Sequence, residues 1–364
     1  MKIGKSLVKK EKIIHVITTI ENGGAERQLA ILVSEQIKMG NSVTIAYLKG
    51  RGDLLPKFNE LEIDVFKLNN ILGPLSQIFH LYVLCKLFRY TITHCHLPRA
   101  EIIGNLASLT CKSRLIISRH NAEPFFSKVP SLLSSGLSRI FTHRASKVIC
   151  ISEAVRQFLI RNREVKSNEN LTVIHYGYDQ TFVQGIPPKT GFRDPSQPFN
   201  IGTVARLVKQ KNIFLLLDAF SLISLHHPDS FLTIVGTGPE KLDLLVHAQQ
   251  LCIENRIRWI DRSNNIAAIM SNFDVFILTS NYEGFGMVLL EALQLNLPVV
   301  ARNISAIPEV LGYEYPGLFK NSTKEDVVLA FERVTRVDFL QNLNRKILSK
   351  FDSAKMANRI QEVY

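Results

Sequence analysis

Two glutamates, Glu283 and Glu291, lie eight positions apart on either side of a glycine-rich turn, Gly284-Phe285-Gly286. The apolar run that starts at Met287 predicts a helix directly after this turn, with Glu291 one to two turns into it. Burying a carboxylate is costly unless a partner pairs with it. A carboxylate in this position can accept two hydrogen bonds from a ribose diol. A surface glutamate on an amphipathic helix is the alternative, which the apolar neighbours of Glu291 disfavour.

A pair of cations follows another predicted strand. Arg206 closes the strand, and Lys211 stands five positions later, where a helix is expected to begin. Cations near a helix N-terminus are unfavourable for the helix dipole unless an anion is bound there. The pair therefore favours a diphosphate clamp over two solvated side chains. Lys209, between them, is expected to be exposed.

Two glycine turns also lie between a predicted strand and a predicted helix. Gly23 and Gly24 follow the first strand, and Gly236 and Gly238 follow a later one. Backbone N–H groups in such turns can point at an anion, although an ordinary tight turn explains each of them as well. The third glycine of a dinucleotide fingerprint would fall at Lys241, which disfavours a nicotinamide dehydrogenase.

Charge is unevenly distributed along the 364 residues, whose formal net charge is +12. Positions 1–180 hold 25 Lys and Arg against 14 Asp and Glu, and the remainder holds 19 against 18. A basic first half suits anionic lipid, a phosphorylated substrate or nucleic acid, or is simply a soluble basic surface. Nucleic acid is disfavoured because the sequence contains no recognised nucleic-acid module.

The cysteines and the apolar runs indicate a cytoplasmic protein, soluble or peripheral to a membrane. Five cysteines, an odd number, include no CxxC pair, which favours reduced thiols. Cys95 lies between His94 and His96, but no second cluster completes a metal site, so strand packing is the favoured interpretation and no metal is expected. No apolar run approaches the length of a transmembrane helix, and the N-terminal segment is interpreted as a basic tail before a first strand.

Short β-branched runs alternate with amphipathic stretches, which predicts βαβ units and parallel sheets. The alternation breaks in a segment rich in Pro, Gly and polar residues. We therefore expect an α/β protein with a first Rossmann-like domain at 1–180, a linker at 181–199 and a second Rossmann-like domain at 200–364. Two such domains would face each other across a cleft, with ligands at the carboxyl ends of the strands.

With the elements in place, Glu283 and Glu291 resemble the E-x7-E signature of retaining glycosyltransferases of family 4, which have the GT-B fold. Other segments resemble family motifs in the family's order: the acceptor-side glycine loop at Gly23-Gly24, the histidine segment at Arg119-His120-Asn121, the R-x4-K diphosphate pair at Arg206 and Lys211, and the second glycine loop at Gly236 and Gly238. The resemblance covers essentially the whole chain, and it implies that the last segment, Phe351–Tyr364, crosses back to the first domain. One departure is Tyr176, where the family usually has Asn, and this change is expected to alter only the hinge.

The resemblance implies that the second domain binds a nucleotide-diphospho-sugar. Glu291 would hold the ribose hydroxyls, Glu283 the donor-sugar hydroxyls, and Arg206 with Lys211 the departing diphosphate. The backbone amides of Phe285, Gly286 and Met287 would contact sugar and phosphate. His120 would line the donor cleft as a catalytic hydrogen-bonding group, although a lone histidine after a strand is more often structural.

The sequence contains no Asp-x-Asp, the usual metal-holding pattern of the other main glycosyltransferase fold. Cations and helix dipoles are therefore expected to carry the leaving-group charge without a metal or other cofactor. Basic and apolar residues interleave at Lys2–Lys12, Lys86–Arg89 and Arg139–Arg144, which suits a membrane headgroup region and a lipid-linked saccharide acceptor. A helix packed inside the domain with its cations in water explains the pattern nearly as well.

The expected activity is therefore that of a hexosyltransferase in capsule, O-antigen or lipopolysaccharide synthesis, at the inner face of the cytoplasmic membrane. Another GT-B enzyme, a phosphorylase or a sugar-phosphate synthase, is an alternative. A non-catalytic nucleotide-binding subunit is a second alternative, against which the intact Glu283, Glu291, Arg206 and Lys211 argue.

Overall fold

The computed structural model describes residues 10–125, 131–165, 170–187, 198–263, 265–336 and 340–364. They form two compact units, of which unit 1 comprises Met1–Gly177 with Asp352–Tyr364, and unit 2 comprises Tyr178–Phe351. Most of the basic segment Lys2–Lys12 and of the predicted linker 181–199 lies outside the described residues. No helix within the described ranges is long and apolar enough to cross a membrane.

Unit 1 contains a parallel sheet of short apolar strands. Its strands are β1 (Lys12–Ile17), β2 (Ser42–Tyr47), β3 (Asp64–Lys67), β4 (Ile92–His96), β5 (Arg114–Arg119), β6 (Lys147–Cys150) and β7 (Leu171–Val173). The order across the sheet is β3-β2-β1-β4-β5-β6-β7. In β1, Ile13, Ile14, Val16 and Ile17 are fully buried, as expected for a parallel sheet covered on both faces.

Six helices of unit 1 connect these strands. They are α1 (Gly24–Lys38), α2 (Leu55–Glu60), α3 (Pro74–Phe88), α4 (Pro98–Ala107), α5 (Ser131–Arg144) and α6 (Glu153–Arg161), with a 3-10 turn at Ser108–Thr110. The first helix begins at Gly24 of the glycine pair, as the sequence predicts. Ser152 caps α6, since its hydroxyl accepts a hydrogen bond from the Val155 amide.

Unit 2 repeats the architecture with a six-stranded parallel sheet. Its strands are β8 (Asn200–Val204), β9 (Phe231–Val235), β10 (Ile257–Ile260), β11 (Val275–Leu278), β12 (Val299–Arg302) and β13 (Leu318–Phe319), in the order β10-β9-β8-β11-β12-β13. Its helices are α7 (Ile213–His226), α8 (Lys241–Gln250), α9 (Ile266–Met270), α10 (Met287–Gln294), α11 (Ile307–Leu311), α12 (Lys324–Thr335) and α13 (Leu340–Leu348), with a 3-10 turn at Glu254–Arg256.

The last helix, α14 (Ser353–Val363), returns to unit 1 and packs on α1. Asp352 caps it by accepting a hydrogen bond from the Lys355 amide at 2.9 Å. Gln361 accepts from Asn41 at 2.8 Å, and Gln36 of α1 donates to the Tyr364 hydroxyl at 3.0 Å. The predicted fold class, two Rossmann-like α/β domains, is confirmed by the two parallel sheets.

Candidate active site

The loops after β8 and β11 meet at one edge of the unit 2 sheet. These two strands are neighbours, with Val275 paired to Ile201 and Phe276 to Gly202. The strand order turns back at this point, because β9 flanks β8 on its other side and β12 flanks β11. In an open parallel sheet, such a switch point opens a crevice at the carboxyl ends of the strands. Residues far apart in the chain are thereby brought together.

The central contact of this edge joins Lys211 to Glu283. Lys211 Nζ lies 2.5 Å from Glu283 Oε1, and their side chains are 14% and 7% exposed. The Ser280 hydroxyl donates to the same oxygen at 2.6 Å. Among the described residues, Glu283 Oε2 has no hydrogen-bond partner. One carboxylate oxygen is thus held by the protein, while the other is available to a ligand.

Further hydrogen bonds hold the two loops against each other. The side-chain amide of Gln210 donates to the Tyr282 carbonyl at 3.0 Å. The backbone carbonyl of Gln210 accepts a hydrogen bond from the backbone N–H of Asn281 at 2.7 Å. The Ser305 hydroxyl donates to the Glu283 carbonyl at 2.7 Å. Arg206 is exposed, with Nη2 3.4 Å from Gln210 Oε1. The loops therefore hold Lys211 beside Glu283 and leave the guanidinium of Arg206 in solvent.

Lys209 lies in the same loop as Lys211 but faces solvent. Its side chain is exposed, as the sequence predicts, and its carbonyl accepts from Asn281 Nδ2 at 2.9 Å. The loop thus presents one partly buried lysine and one solvated lysine, two positions apart.

Helix α10 begins at this edge with an uncapped N-terminus. Its N-cap, Gly286, has φ 89°, a left-handed conformation that favours glycine, and no side chain caps the helix. The preceding Phe285 is buried and packs edge-to-face on Phe351, with ring centroids 5.6 Å apart. Glu291 lies within α10 and is 3% exposed, so it is not a surface glutamate. An uncapped helix start directs backbone N–H groups at this edge of the sheet.

The glycines after β9 permit a close approach of two loops. A Cβ atom at Gly236 would overlap the Ala205 carbonyl oxygen, and one at Gly238 would overlap the Leu207 carbonyl oxygen. The Leu207 amide donates to the Thr237 carbonyl at 2.9 Å. The structure therefore packs this glycine loop directly against the loop that carries Arg206 and Lys211.

The predicted residues of unit 1 lie after β1 and β5. Gly23 is the N-cap of α1, and Gly24 is exposed in its first turn. His120 directly follows β5 and is 7% exposed. Its Nδ1 contacts the Tyr176 hydroxyl, and its Nε2 lies 3.1 Å from His96 Nδ1. Both ring nitrogens are therefore engaged by protein partners, and Tyr176, expected to affect only the hinge, instead contacts the candidate histidine.

Comparison with known proteins accounts for both units. Residues 22–182 match the family model "Glycosyltransferase Family 4", and residues 190–346 match the model "Glycosyl transferases group 1". The chain belongs to glycosyltransferase family 4. This confirms the family that the sequence motifs resemble.

Individual relatives agree with the family assignment. The glycosyltransferase is 26% identical to the Escherichia coli UDP-Gal:alpha-D-GlcNAc-diphosphoundecaprenol alpha-1,3-galactosyltransferase over 81% of this chain and 80% of that one. It is 28% identical to the Escherichia coli O-antigen biosynthesis glycosyltransferase WclY over 48% of each chain. Anabaena HepE, solved with UDP and glucose, has 22% identity and a TM-score of 0.79, covering 97% of this chain and 98% of that one, which shows a shared fold.

A buried cluster of one arginine and two glutamates lies beside His120 and was not predicted from the glycosyltransferase sequence. Arg119 lies 2.9 Å from Glu101 Oε2 and 3.2 Å from Glu164 Oε2, and all three side chains are buried. Burial raises the pKa of Glu101 to about 7, with Arg119 opposing the shift and Glu164 adding to it. The cluster ties the end of β5, and hence the backbone of His120, to α4 and to the segment after α6. Glu164 lies 45 positions after Arg119 in the sequence and still farther from Glu101, so no local motif indicates this cluster.

Proposed function

We propose that this glycosyltransferase moves a hexose from a nucleotide-diphospho-sugar to a saccharide acceptor with retention of anomeric configuration. The supporting observation is the Lys211–Glu283 pair at the switch point of unit 2, where Glu283 Oε2 has no partner among the described residues. In the proposal, Oε2 accepts a hydrogen bond from a donor-sugar hydroxyl. Lys211, already poised within 2.5 Å of Oε1, turns its charge toward the diphosphate.

In the proposed reaction, the bond between the anomeric carbon and the diphosphate oxygen breaks while the acceptor oxygen bonds to the same face of that carbon. The acceptor's proton passes to the leaving diphosphate, which departs as the nucleoside diphosphate. Lys211, Arg206 and the backbone N–H groups at the start of α10 stabilise the developing negative charge. Glu291 holds the ribose hydroxyls, and the Gly236–Gly238 loop borders the phosphates. A hydroxyl of the donor sugar replaces the Tyr176 hydroxyl as the donor to His120 Nδ1, and no metal takes part in the step.

For the donor and the acceptor, the relatives suggest what to test first. HepE was solved with UDP and glucose, and the Escherichia coli galactosyltransferase uses UDP-Gal and a diphosphoundecaprenol-linked GlcNAc. We propose a UDP-hexose donor and a lipid-linked saccharide acceptor in surface glycan synthesis. Such an acceptor requires that the enzyme reach a membrane surface from the cytoplasmic side, with the Gly23-Gly24 turn on the acceptor side.

A membrane-facing surface is proposed on α3 and α5 of unit 1. Leu133, Leu137 and Ile140 of α5 are 62%, 42% and 60% exposed, and their spacing places them on one face of the helix. Helix α4 packs against both α3 and α5. Helix α3 adds an exposed apolar set of its own, Leu75, Phe79 and Leu87. Exposed apolar side chains of this size and number mark an interaction surface.

The charge of this surface supports the proposal that its partner is anionic lipid. Lys86 and Arg89 at the end of α3, and Arg139 and Arg144 on α5, are exposed. Basic residues next to exposed leucines suit a headgroup layer, into which the apolar side chains insert.

Nucleotide binding tests the donor proposal. Thermal shift against UDP, GDP, ADP and CMP, in EDTA, is compared for wild type, Glu291→Ala and the control Gln294→Ala on the same helix. A shift with UDP that Glu291→Ala alone abolishes supports the ribose role. A shift that requires added Mg²⁺ would contradict the metal-free proposal. No shift with any nucleotide would contradict nucleotide-sugar binding. Retention is checked by NMR of the anomeric proton in the product.

Liposome flotation tests the membrane surface. Vesicles of phosphatidylglycerol and phosphatidylcholine are mixed with wild type and with the triple variant Leu133→Ser, Leu137→Ser, Ile140→Ser. The control replaces three exposed leucines on separate helices of unit 2, Leu225, Leu242 and Leu329, by serine. Binding that only the α5 variant loses, and that high salt weakens, supports the proposal. Equal loss in both variants, or no wild-type binding at low salt, would contradict it.

A further inference from the structure

A continuous chain of hydrogen-bonded polar side chains crosses the interior of unit 1 and passes through His120. It joins residues of three strands, β1, β4 and β5, to α1 and to the residues that follow β5, β7 and α14. Its members, in order, are Tyr176, His120, His96, His15, Gln36, Tyr364, His94 and Ser118, none of them more than 7% exposed.

The contacts along the chain are all within hydrogen-bond distance. His120 Nε2 to His96 Nδ1 is 3.1 Å, His96 Nε2 to His15 Nδ1 is 2.9 Å, and His15 Nε2 to Gln36 Oε1 is 2.8 Å. Gln36 Nε2 to the Tyr364 hydroxyl is 3.0 Å, and His94 lies 2.7 Å from both Tyr364 and Ser118. The Tyr176 hydroxyl completes the chain at His120 Nδ1.

Counting donors gives the chain a single direction. Gln36 Oε1 only accepts, so His15 must carry its proton on Nε2 and accept at Nδ1. His96 must then donate from Nε2 and accept at Nδ1, and His120 must donate from Nε2. On the other side, Gln36 Nε2 donates to Tyr364, whose hydroxyl donates to His94 Nδ1. With these directions, every imidazole is fully satisfied in its neutral form, with one donor and one acceptor used.

The burial of the four imidazoles agrees with this neutral arrangement. Burial lowers the pKa of His15 to about 4 and that of His120 to about 3, and it holds those of His94 and His96 well below the usual range. A neutral chain with all its nitrogens paired avoids the cost of a buried charge or an unpaired N–H.

A metal ion is the competing explanation for this cluster. His15, His94 and His96 offer ligand atoms that all lie within 4.8 Å of one another. However, both nitrogens of each ring already have hydrogen-bond partners in the chain. A metal would displace the His15–His96 bond and one partner of His94. The hydrogen-bond explanation accounts for every nitrogen without that loss.

We propose that Gln36, His15 and His96 are positioning residues that fix the ring orientation and the tautomer of His120. Because the bonds share one direction, the amide of Gln36 decides which nitrogen of His120 carries the proton, three links away. The catalytic consequence rests on the proposed function, in which His120 contacts the donor sugar, whereas the tautomer itself does not.

Nitrogen-15 NMR of the histidine side chains tests the positioning directly. In the wild type, His15, His94, His96 and His120 are all expected as the Nε2–H tautomer. Gln36→Leu leaves His15 Nε2–H without an acceptor. Because an unpaired buried N–H is less tolerated than an unpaired lone pair, the bonds from His15 to Tyr176 are expected to reverse. His120 then shifts toward the Nδ1–H tautomer.

Gln77→Leu is the matched control. Gln77 is another buried glutamine of unit 1, whose amide donates to the Leu48 carbonyl at 2.8 Å and lies outside the chain. It is expected to leave the His120 resonances unchanged. A mixture of tautomers in the wild type, an unchanged His120 in a folded Gln36→Leu, or one zinc per chain in the purified protein would each overturn the proposal.

Activity separates this proposal from the proposed function. With UDP-hexose, Gln36→Leu is expected to lower kcat about tenfold, with KM for the donor changed less than about twofold, because misorientation of a contacting group acts on the transition state. Gln77→Leu is expected to change neither. If His120→Ala keeps full activity while the tautomers reverse as predicted, the positioning stands and the proposed role of His120 in transfer falls.

Discussion

The two units have sheets that share the order of their first six strands, but the hydrogen-bond chain of unit 1 is built of uncharged imidazoles, whereas the candidate site of unit 2 is built on an ion pair. In unit 1, each buried histidine is satisfied by another side chain, and the chain is complete without charge. In unit 2, Lys211 and Glu283 carry opposite charges, and one oxygen of Glu283 has no partner among the described residues. An internally complete network stabilises a fixed arrangement, whereas a partly satisfied ion pair can be rearranged by a charged ligand.

The two units differ most in how their stability responds to acid. Below pH 6.5, the histidines bind protons in the unfolded protein, whereas the buried imidazoles of unit 1 stay neutral in the folded protein. The free energy of unfolding therefore falls as the pH drops from 6.5 toward about 4. Each imidazole contributes up to about 1.4 kcal/mol per pH unit in this window, so the four together contribute up to roughly 6 kcal/mol per unit. The described histidines of unit 2 are exposed or half-buried, so unit 2 lacks this source of acid sensitivity.

Pulse-labelling hydrogen exchange with mass spectrometry checks this, since peptides from each unit are followed separately. Protection of β1, β4 and β5 is expected to be lost at a higher pH than protection of β8 and β11. Simultaneous loss in both units, or earlier loss in unit 2, would show that the buried histidines do not limit acid stability.

The ion pair of unit 2 is broken by Lys211→Met. Because Glu283 is then left buried and unpaired, stability is expected to fall by about 3 kcal/mol. Transferase kcat is expected to fall about 100-fold or more, since the leaving diphosphate loses a cation. Chemical denaturation and initial-rate kinetics measure the two effects.

Two variants control this prediction. Lys209→Met removes the neighbouring solvated lysine and is expected to change stability and kcat little. The double variant Lys211→Met, Glu283→Gln removes both charges and is expected to recover most of the stability but not the activity. A double variant as unstable as the single one would show that the pair does not account for the loss.

A smaller effect is expected at Glu101, a buried carboxylate of unit 1 whose pKa is raised to about 7. Its unfolded form ionises near 4.5, so unfolding releases a proton between pH 4.5 and 7, and this group lowers stability as the pH rises through that window. Glu101→Gln removes a slope of up to about 1.4 kcal/mol per pH unit. The variant's stability relative to the wild type is therefore expected to rise from pH 5 to pH 7.

Urea denaturation at several pH values measures this difference. Gln77→Leu, which changes a buried side chain of unit 1 without changing a titratable group, is the control and is expected to give a difference that does not depend on pH. A pH-independent difference for Glu101→Gln would contradict the raised pKa.

Local signals predicted the alternation of strands and helices in both units, because strands buried on both faces appear as β-branched runs and glycine turns mark helix starts. The short loop from Arg206 to Lys211 was predictable for the same reason. The contact between Lys211 and Glu283 spans 72 positions and depends on the pairing of β8 with β11, which no local pattern encodes. The hydrogen-bond chain of unit 1 could not be predicted for a similar reason, since His15 and Tyr364 contribute to it from distant segments.

One signal in the sequence could have indicated the hydrogen-bond chain. His94 and His96 alternate along a strand, so both face the same side of the sheet, and polar residues repeated on one face of a buried strand need partners there. The strand-packing interpretation of Cys95 is compatible with this pattern, but it does not account for the hydrogen-bond partners of the two imidazoles.

The smallest effect is expected at Ser280, which tests whether Glu283 is held as well as charged. Its hydroxyl donates to Glu283 Oε1 at 2.6 Å from the loop after β11, and it is fully buried. Ser280→Ala keeps the ion pair with Lys211 but removes one of the two contacts that orient the carboxylate. A single hydrogen bond to a charged group contributes about 1.5 kcal/mol, so kcat is expected to fall about tenfold, well short of the loss in Lys211→Met. Ser280→Thr keeps the hydroxyl and is expected to retain most of the activity if the added methyl fits. If Ser280→Ala has full activity, Lys211 alone orients Glu283, and the open oxygen Oε2 needs no second anchor to meet the donor sugar.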